Sequence, residues 1–112
     1  MALAFAHEVA YVRDIGGLSE QDVARATGAG RSTVGAWLRG TRTPTGERAE
    51  RIAELSALVE RLARVMDRDY IGVWLHKPLR PLGDDKPIDV LARGDYRLLS
   101  ALVAELESPV AS

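Results

Sequence analysis

Apolar residues recur along this chain with the period of a helix, and nowhere with the sustained alternation of a strand. Phe5, Val9 and Val12 stand at i, i+4 and i+7, and Gly16-Gly17 closes that segment, so a first helix is predicted ahead of the two glycines. Ser19 is a good N-cap, with Asp22 three residues on, where a carboxylate favours the positive end of the helix dipole. A short helix should follow with Val23 and Ala24 inward, stopping at Gly28. Gly30 opens another from about Arg31 to Arg39, and Gly40 closes it at the C′ position. Thr41 to Thr45, with Pro44, reads as a loop.

A long helix is predicted from about Glu47 to Met66. Ile52, Leu55, Val59, Leu62 and Met66 form one stripe on it, and Leu58 and Val65 widen the stripe to two apolar faces. Packing against the helices before and after accounts for that width. A seam between two copies of the chain would account for it as well.

Beyond Asp67 the texture changes. Asp69 can cap a short helix carrying Tyr70, Val73, Trp74 and Leu75, which Pro78 and Pro81 terminate, and residues 77–86 read as a loop. Pro87 is a favoured first helical residue; Ile88, Val90 and Leu91 fill a brief helix stopped by Gly94. Asp95 caps a last helix whose Leu99, Leu102, Val103 and Leu106 share one stripe, and Ser108-Pro109 ends it. The pattern predicts an all-α fold in three parts: a helical bundle over 1–48, a connecting or dimerisation helix over 49–66, and a small helical region over 67–112.

Composition removes whole classes of function. The chain has 112 residues and no cysteine, which excludes disulfides, zinc fingers, iron–sulfur sites and thiol catalysis. The apolar start from Met1 to Ala6 is too short for a signal-peptide core, and no run reaches the length of a bilayer span, so a cytoplasmic protein without membrane contact is expected. Net charge is −1, which on its face argues against nucleic acid. The distribution argues otherwise. Between Asp22 and Glu47 there is no acid, and the stretch holds Arg25, Arg31, Arg39 and Arg42, a concentrated positive footprint.

That footprint coincides with two short helices joined by a three-residue turn, with small Ala24 where they cross, Gly28 at the bend, and Val34 and Trp37 inward on the second helix. This is a helix-turn-helix arrangement, which sets its second helix into the DNA major groove. It resembles the Cro/repressor-type family, whose pattern is matched at Gln21, Ala24, Gly28, Val34 and Trp37, with Gly40 and Pro44 matching the loop that follows. With Val34, Trp37 and Leu38 inward, the outward positions are Arg31, Ser32, Gly35, Ala36 and Arg39. Gly35 costs the helix about 1 kcal/mol relative to Ala. Direct readout would rest on Arg31, Ser32 and Thr33, with Arg39 and Arg42 on phosphates, and dimerisation across two half-sites would sharpen a modest specificity. Gly28-Ala-Gly-Arg-Ser-Thr33 is not a phosphate-binding loop, because Arg25 and Arg31 stand where such a loop has Gly and Lys.

The second half carries no catalytic logic. His7 and His76 are the only histidines, no metal-ligand spacing surrounds either, and no nucleophile–base motif is visible. Neither an enzyme nor a bound cofactor is expected, and His76 reads as a surface or loop residue. What stands out is Trp74-Leu-His-Lys-Pro78, then Leu82-Gly83, Pro87-Ile-Asp-Val-Leu91 and Gly94-Asp95. In this order the elements resemble the toxin-binding domain of the Xre/MbcA/ParS-type antitoxins, which normally follows a helix-turn-helix. Ile88 and Val90 stand where that family more often has Leu, a mild apolar departure.

The resemblance implies a type II antitoxin that silences a RES-domain toxin consuming NAD⁺ and, in complex with it, represses its own operon. It further implies that the tail Ser108, Pro109, Val110, Ala111 and Ser112 plugs the toxin's active site. Trp74 reads either as a core anchor or as a hot spot for the toxin, an ambiguity shared by Tyr70 and Tyr96. Two other functions stay open: a free-standing repressor whose C-terminal half only dimerises, and an interaction module whose helix-turn-helix no longer binds DNA.

Overall fold

A computed structural model describes residues 2–108. The described residues form seven α-helices and no strands: α1 (Ala2–Ile15), α2 (Glu20–Thr27), α3 (Arg31–Arg39), α4 (Gly46–Val65), α5 (Arg68–Leu75), α6 (Pro87–Ala92) and α7 (Tyr96–Glu107), with a 3₁₀ turn at Arg80–Leu82. The all-α expectation holds.

Local chemistry sets most of the boundaries. Ser19 Oγ accepts the Asp22 N–H at 3.0 Å while the Asp22 carboxylate accepts the Ser19 N–H at 3.1 Å, a reciprocal capping box that starts α2. Gly28 ends α2 and Gly40 ends α3, each in the left-handed conformation (φ 76° and 74°) that glycine adopts without steric cost. Asp95 caps α7 through its carboxylate and the Leu98 N–H. Asp67, not Asp69, occupies the cap position of α5, and Asp69 falls in its first turn.

The expected loop over 77–86 is more ordered than a loop. Leu82 is buried and draws the chain into the 3₁₀ turn, and the Leu79 N–H reaches the Asp85 carbonyl at 3.1 Å.

α4 is the spine of the molecule. Ile52, Leu55, Leu58, Val59 and Leu62 are all fully buried, and α4 packs against α1, α2, α5 and α7. Leu58 therefore belongs to the chain's own core, while Val65 and Met66 at the end of the same apolar face are only half-buried. One contiguous cluster runs from Val9 on α1 to Val103 on α7 and includes residues of all three predicted parts. α6 lies directly on α2.

The C-terminal half meets the N-terminal half at a crossing of two glycines. A Cβ placed on Gly17 would stand 2.7 Å from the Gly72 Cα, and one placed on Gly72 would stand 3.1 Å from the Gly17 Cα. Hydrogen at both positions lets α5 sit backbone to backbone against the α1–α2 turn, with the tighter constraint at Gly17.

Candidate nucleic-acid and partner surfaces

α2 and α3 cross at Ala24, with Val23, Val34 and Trp37 buried beneath them. The outward face of α3 carries Arg31, Ser32 and Arg39, all exposed, with Gly35 between the two arginines and Thr33 half-buried at its edge. Ala36 departs from expectation: it is buried, because α3 packs against α1 as well as α2 and that second contact covers its flank. Arg42 is exposed just beyond α3. A cleft of about 110 Å³ there is lined by Thr33, Trp37, Arg42, Thr43, Pro44, Thr45 and Arg48. The predicted readout residues and the predicted phosphate contacts thus belong to one helix and the loop that follows it.

The four arginines of the acid-free stretch are not equivalent. Arg25 is held by Asp89 of α6 at 2.8 Å, so it is committed to the C-terminal half. Arg31, Arg39 and Arg42 have no acidic partner among the described residues. Three positive charges, not four, face outward unneutralised.

His76 is not the loop residue its surroundings in the chain suggest. It forms the C-cap of α5. Its Nδ1 lies 2.7 Å from the Gly72 carbonyl and its Nε2 lies 2.9 Å from the Asp22 carboxylate. The Asp22 carboxyl is partly buried, which alone would raise its pKa. The Ser19 N–H and His76 outweigh that burial and hold the carboxyl below the usual carboxylate range. The cap of α2 is therefore also the point where α5 is tied down.

Trp74 settles as the core anchor. It is only 7% exposed, whereas Val73 is 54% and Tyr70 39% exposed on the same helix. The Trp74 side chain, expected as one of two alternatives to meet a partner, is thus turned into the core, and Val73 and Tyr70 are the large side chains that this helix exposes. Lys77 Nζ donates to the Tyr70 hydroxyl at 3.2 Å and extends that face with a positive charge. Tyr96 packs half-buried against the core.

On α7, Leu99 and Val103 point inward while Leu98 and Leu106 are exposed. Arg61 of α4 holds this helix in place. It donates to Ser100 Oγ at 2.8 Å, to the Ser100 carbonyl at 3.1 Å and to the Glu107 carboxylate at 2.8 Å. The Arg61 guanidinium holds the Glu107 carboxyl below its ordinary value. Ser108 is the exposed C-cap of α7, and Pro109, Val110, Ala111 and Ser112 lie outside the described residues.

No group of three metal-ligating side chains occurs among the described residues, and no helix among them is long and apolar enough to cross a membrane.

The crossed pair α2–α3, with its exposed arginines, defines a helix-turn-helix protein, and residues 9–55 match the helix-turn-helix family model. The mycobacterial cidal antitoxin MbcA of Mycobacterium tuberculosis and of Mycobacterium bovis is 32% identical over 87 residues, covering 78% of this chain and 77% of the relative. A probable mycobacterial cidal antitoxin of M. tuberculosis is 34% identical over 80 residues, covering 71% of this chain and 68% of the relative. The crystal structure of the M. tuberculosis MbcT–MbcA toxin–antitoxin complex contains a chain that superposes with a TM-score of 0.80 at 29% identity, over 96% of both chains. The chain belongs to the MbcA-type antitoxin family and is not an enzyme.

Proposed function

We propose that the chain neutralises a RES-domain, NAD⁺-consuming toxin through residues 67–112 and binds operator DNA as a cytoplasmic homodimer to repress its own operon. The observation that carries this reading is the combination, in one MbcA-type chain, of two surfaces. One is a helix-turn-helix face with three unpaired arginines; the other is an exposed apolar strip on α5.

DNA binding rests on Arg31, Ser32 and Thr33 toward base edges, with Arg42 and the cleft beside it toward phosphates. Toxin capture rests on the Tyr70–Val73–Lys77 face and on the tail. Tyrosine is among the residue types enriched at interface hot spots, and the exposed Val73 beside it adds apolar area to the same face. The tail Ser108–Ser112 follows a helix that Arg61 clamps at its last turn, so its starting point is fixed relative to the α5 face.

Co-expression with the product of the neighbouring gene tests the reading, scoring growth rescue and co-purification together. Loss of both with an intact fold would refute it. Removing residues 108–112 separates the parts. The truncated chain should still fold and bind its partner but no longer protect; full protection would refute the plug.

A further inference from the structure

Each glycine inside or beside a helix here has a structural reason except one. Gly28, Gly40 and Gly94 adopt positive φ, Gly16 and Gly72 face crowding backbone, and Gly30 occupies an N-cap position where glycine is common. Gly35 has none of these. It sits mid-helix in α3, its φ is ordinary, and a Cβ added to it would meet one thing only, the Nη1 of Arg39 at 3.2 Å. A glycine in a helix interior weakens the helix, and no packing need compensates here.

Arg31, Gly35 and Arg39 stand at i, i+4 and i+8, a single outward stripe along α3. Helical side chains lean toward the N-terminus, over the preceding turn. Arg39 therefore leans over position 35, and the missing side chain there lets its guanidinium lie against the helix. We infer that Gly35 is a specificity-determining residue: it admits the Arg39 guanidinium to the middle of the reading face, where it hydrogen-bonds the O6 and N7 edge of a guanine. Arg39 then reads a base rather than a phosphate. This rests on the DNA-binding role proposed above and moves Arg39 from backbone contact to direct readout. Arg39 is exposed and forms no ion pair among the described residues, which leaves its guanidinium donors available to a base edge.

The test starts with selection of bound sequences from a randomised duplex pool by the full-length chain. Gly35→Ala, Arg39→Lys and Arg39→Ala are then compared on the selected duplex and on duplexes altered one base pair at a time. Lysine keeps the charge but not the two-pronged geometry, so Arg39→Lys should lose about 5- to 150-fold discrimination at one G·C pair while non-specific binding persists.

Gly35→Ala should move two readouts in opposite directions. Its melting temperature should rise by about 4 °C, from helix propensity, while discrimination at the same base pair falls. A glycine of purely structural value would not give that combination. If Arg39→Lys discriminates like the wild type, and Arg39→Ala weakens all sequences alike with a salt slope smaller by about 0.9, Arg39 holds a phosphate and the inference is overturned. If the wild-type chain selects no sequence from the pool, the DNA-binding reading itself fails, and the inference with it.

Discussion

The Gly17–Gly72 crossing allows a prediction in which two nearly identical substitutions should behave differently. Gly17 and Gly28 both adopt left-handed backbone, with φ of 62° and 76°. Alanine at either position pays the left-handed cost of roughly 1–2 kcal/mol. At Gly28 nothing lies within 4 Å of the added methyl, so that is the whole effect. At Gly17 the methyl would stand 2.7 Å from the Gly72 Cα, which is backbone and cannot swing aside. Separating α5 from the turn adds an overpacking cost of about 1–3 kcal/mol, giving about 2–5 kcal/mol in all.

For a chain of this size each kcal/mol lowers the melting temperature by about 4 °C. Thermal unfolding followed by circular dichroism at 222 nm should therefore show a drop of about 4–8 °C for Gly28→Ala and about 8–20 °C for Gly17→Ala. Gly72→Ala gives a third point. Its methyl meets the Gly17 Cα at 3.1 Å and the Gly17 carbonyl at 3.2 Å, but alanine gains about 1 kcal/mol of helix propensity, so a smaller loss is expected. Equal shifts for Gly17→Ala and Gly28→Ala would show that the close approach carries no energy, and the reasoning would fail.

Other outcomes follow from the same packing. Leu58→Ala opens a cavity in the fully buried face of α4 and should cost about 2–5 kcal/mol by denaturant unfolding without changing the sedimentation of the native chain; a change of oligomeric state would mean that Leu58 joins two copies after all. Because the folded-state pKa of Asp22 is depressed, its stabilising contribution is complete above the unfolded value of 3.8 and is lost as pH falls through the folded value. Asp22→Asn should then flatten, without abolishing, the acid limb of a melting-temperature profile below about pH 4, and an unchanged limb would contradict the assignment. Val73→Lys should abolish co-purification of the neighbouring gene product while leaving the melting temperature within a few degrees, since Val73 is exposed.

The first half of the molecule was legible because its signals are local. Ser19 with Asp22, the left-handed Gly28 and Gly40, and the inward pair Val34–Trp37 each declare themselves within a few residues. What escaped depends on partners far along the chain. Asp22 and His76 are 54 positions apart, and nothing near His76 announces a carboxylate. Gly17 and Gly72 gain their meaning only from each other. Ala36 looked outward because spacing alone does not reveal that α1 lies against α3. On α5 the ambiguity was intrinsic: Val73 and Trp74 are adjacent apolar residues on an eight-residue helix, and periodicity over two turns cannot say which one the core will take.

The single core has a consequence for how such a protein is removed from a cell. Arg25 with Asp89, His76 with Asp22 and the paired glycines fasten the two halves along α2, and the same apolar cluster runs beneath both. A protease that pulls on either end works against one shared cluster, so unravelling one half strips apolar cover from the other. Under the proposed function, one act of degradation would then lift the brake on the toxin and on the operon together. Replenishment by new synthesis would begin at the moment protection is lost.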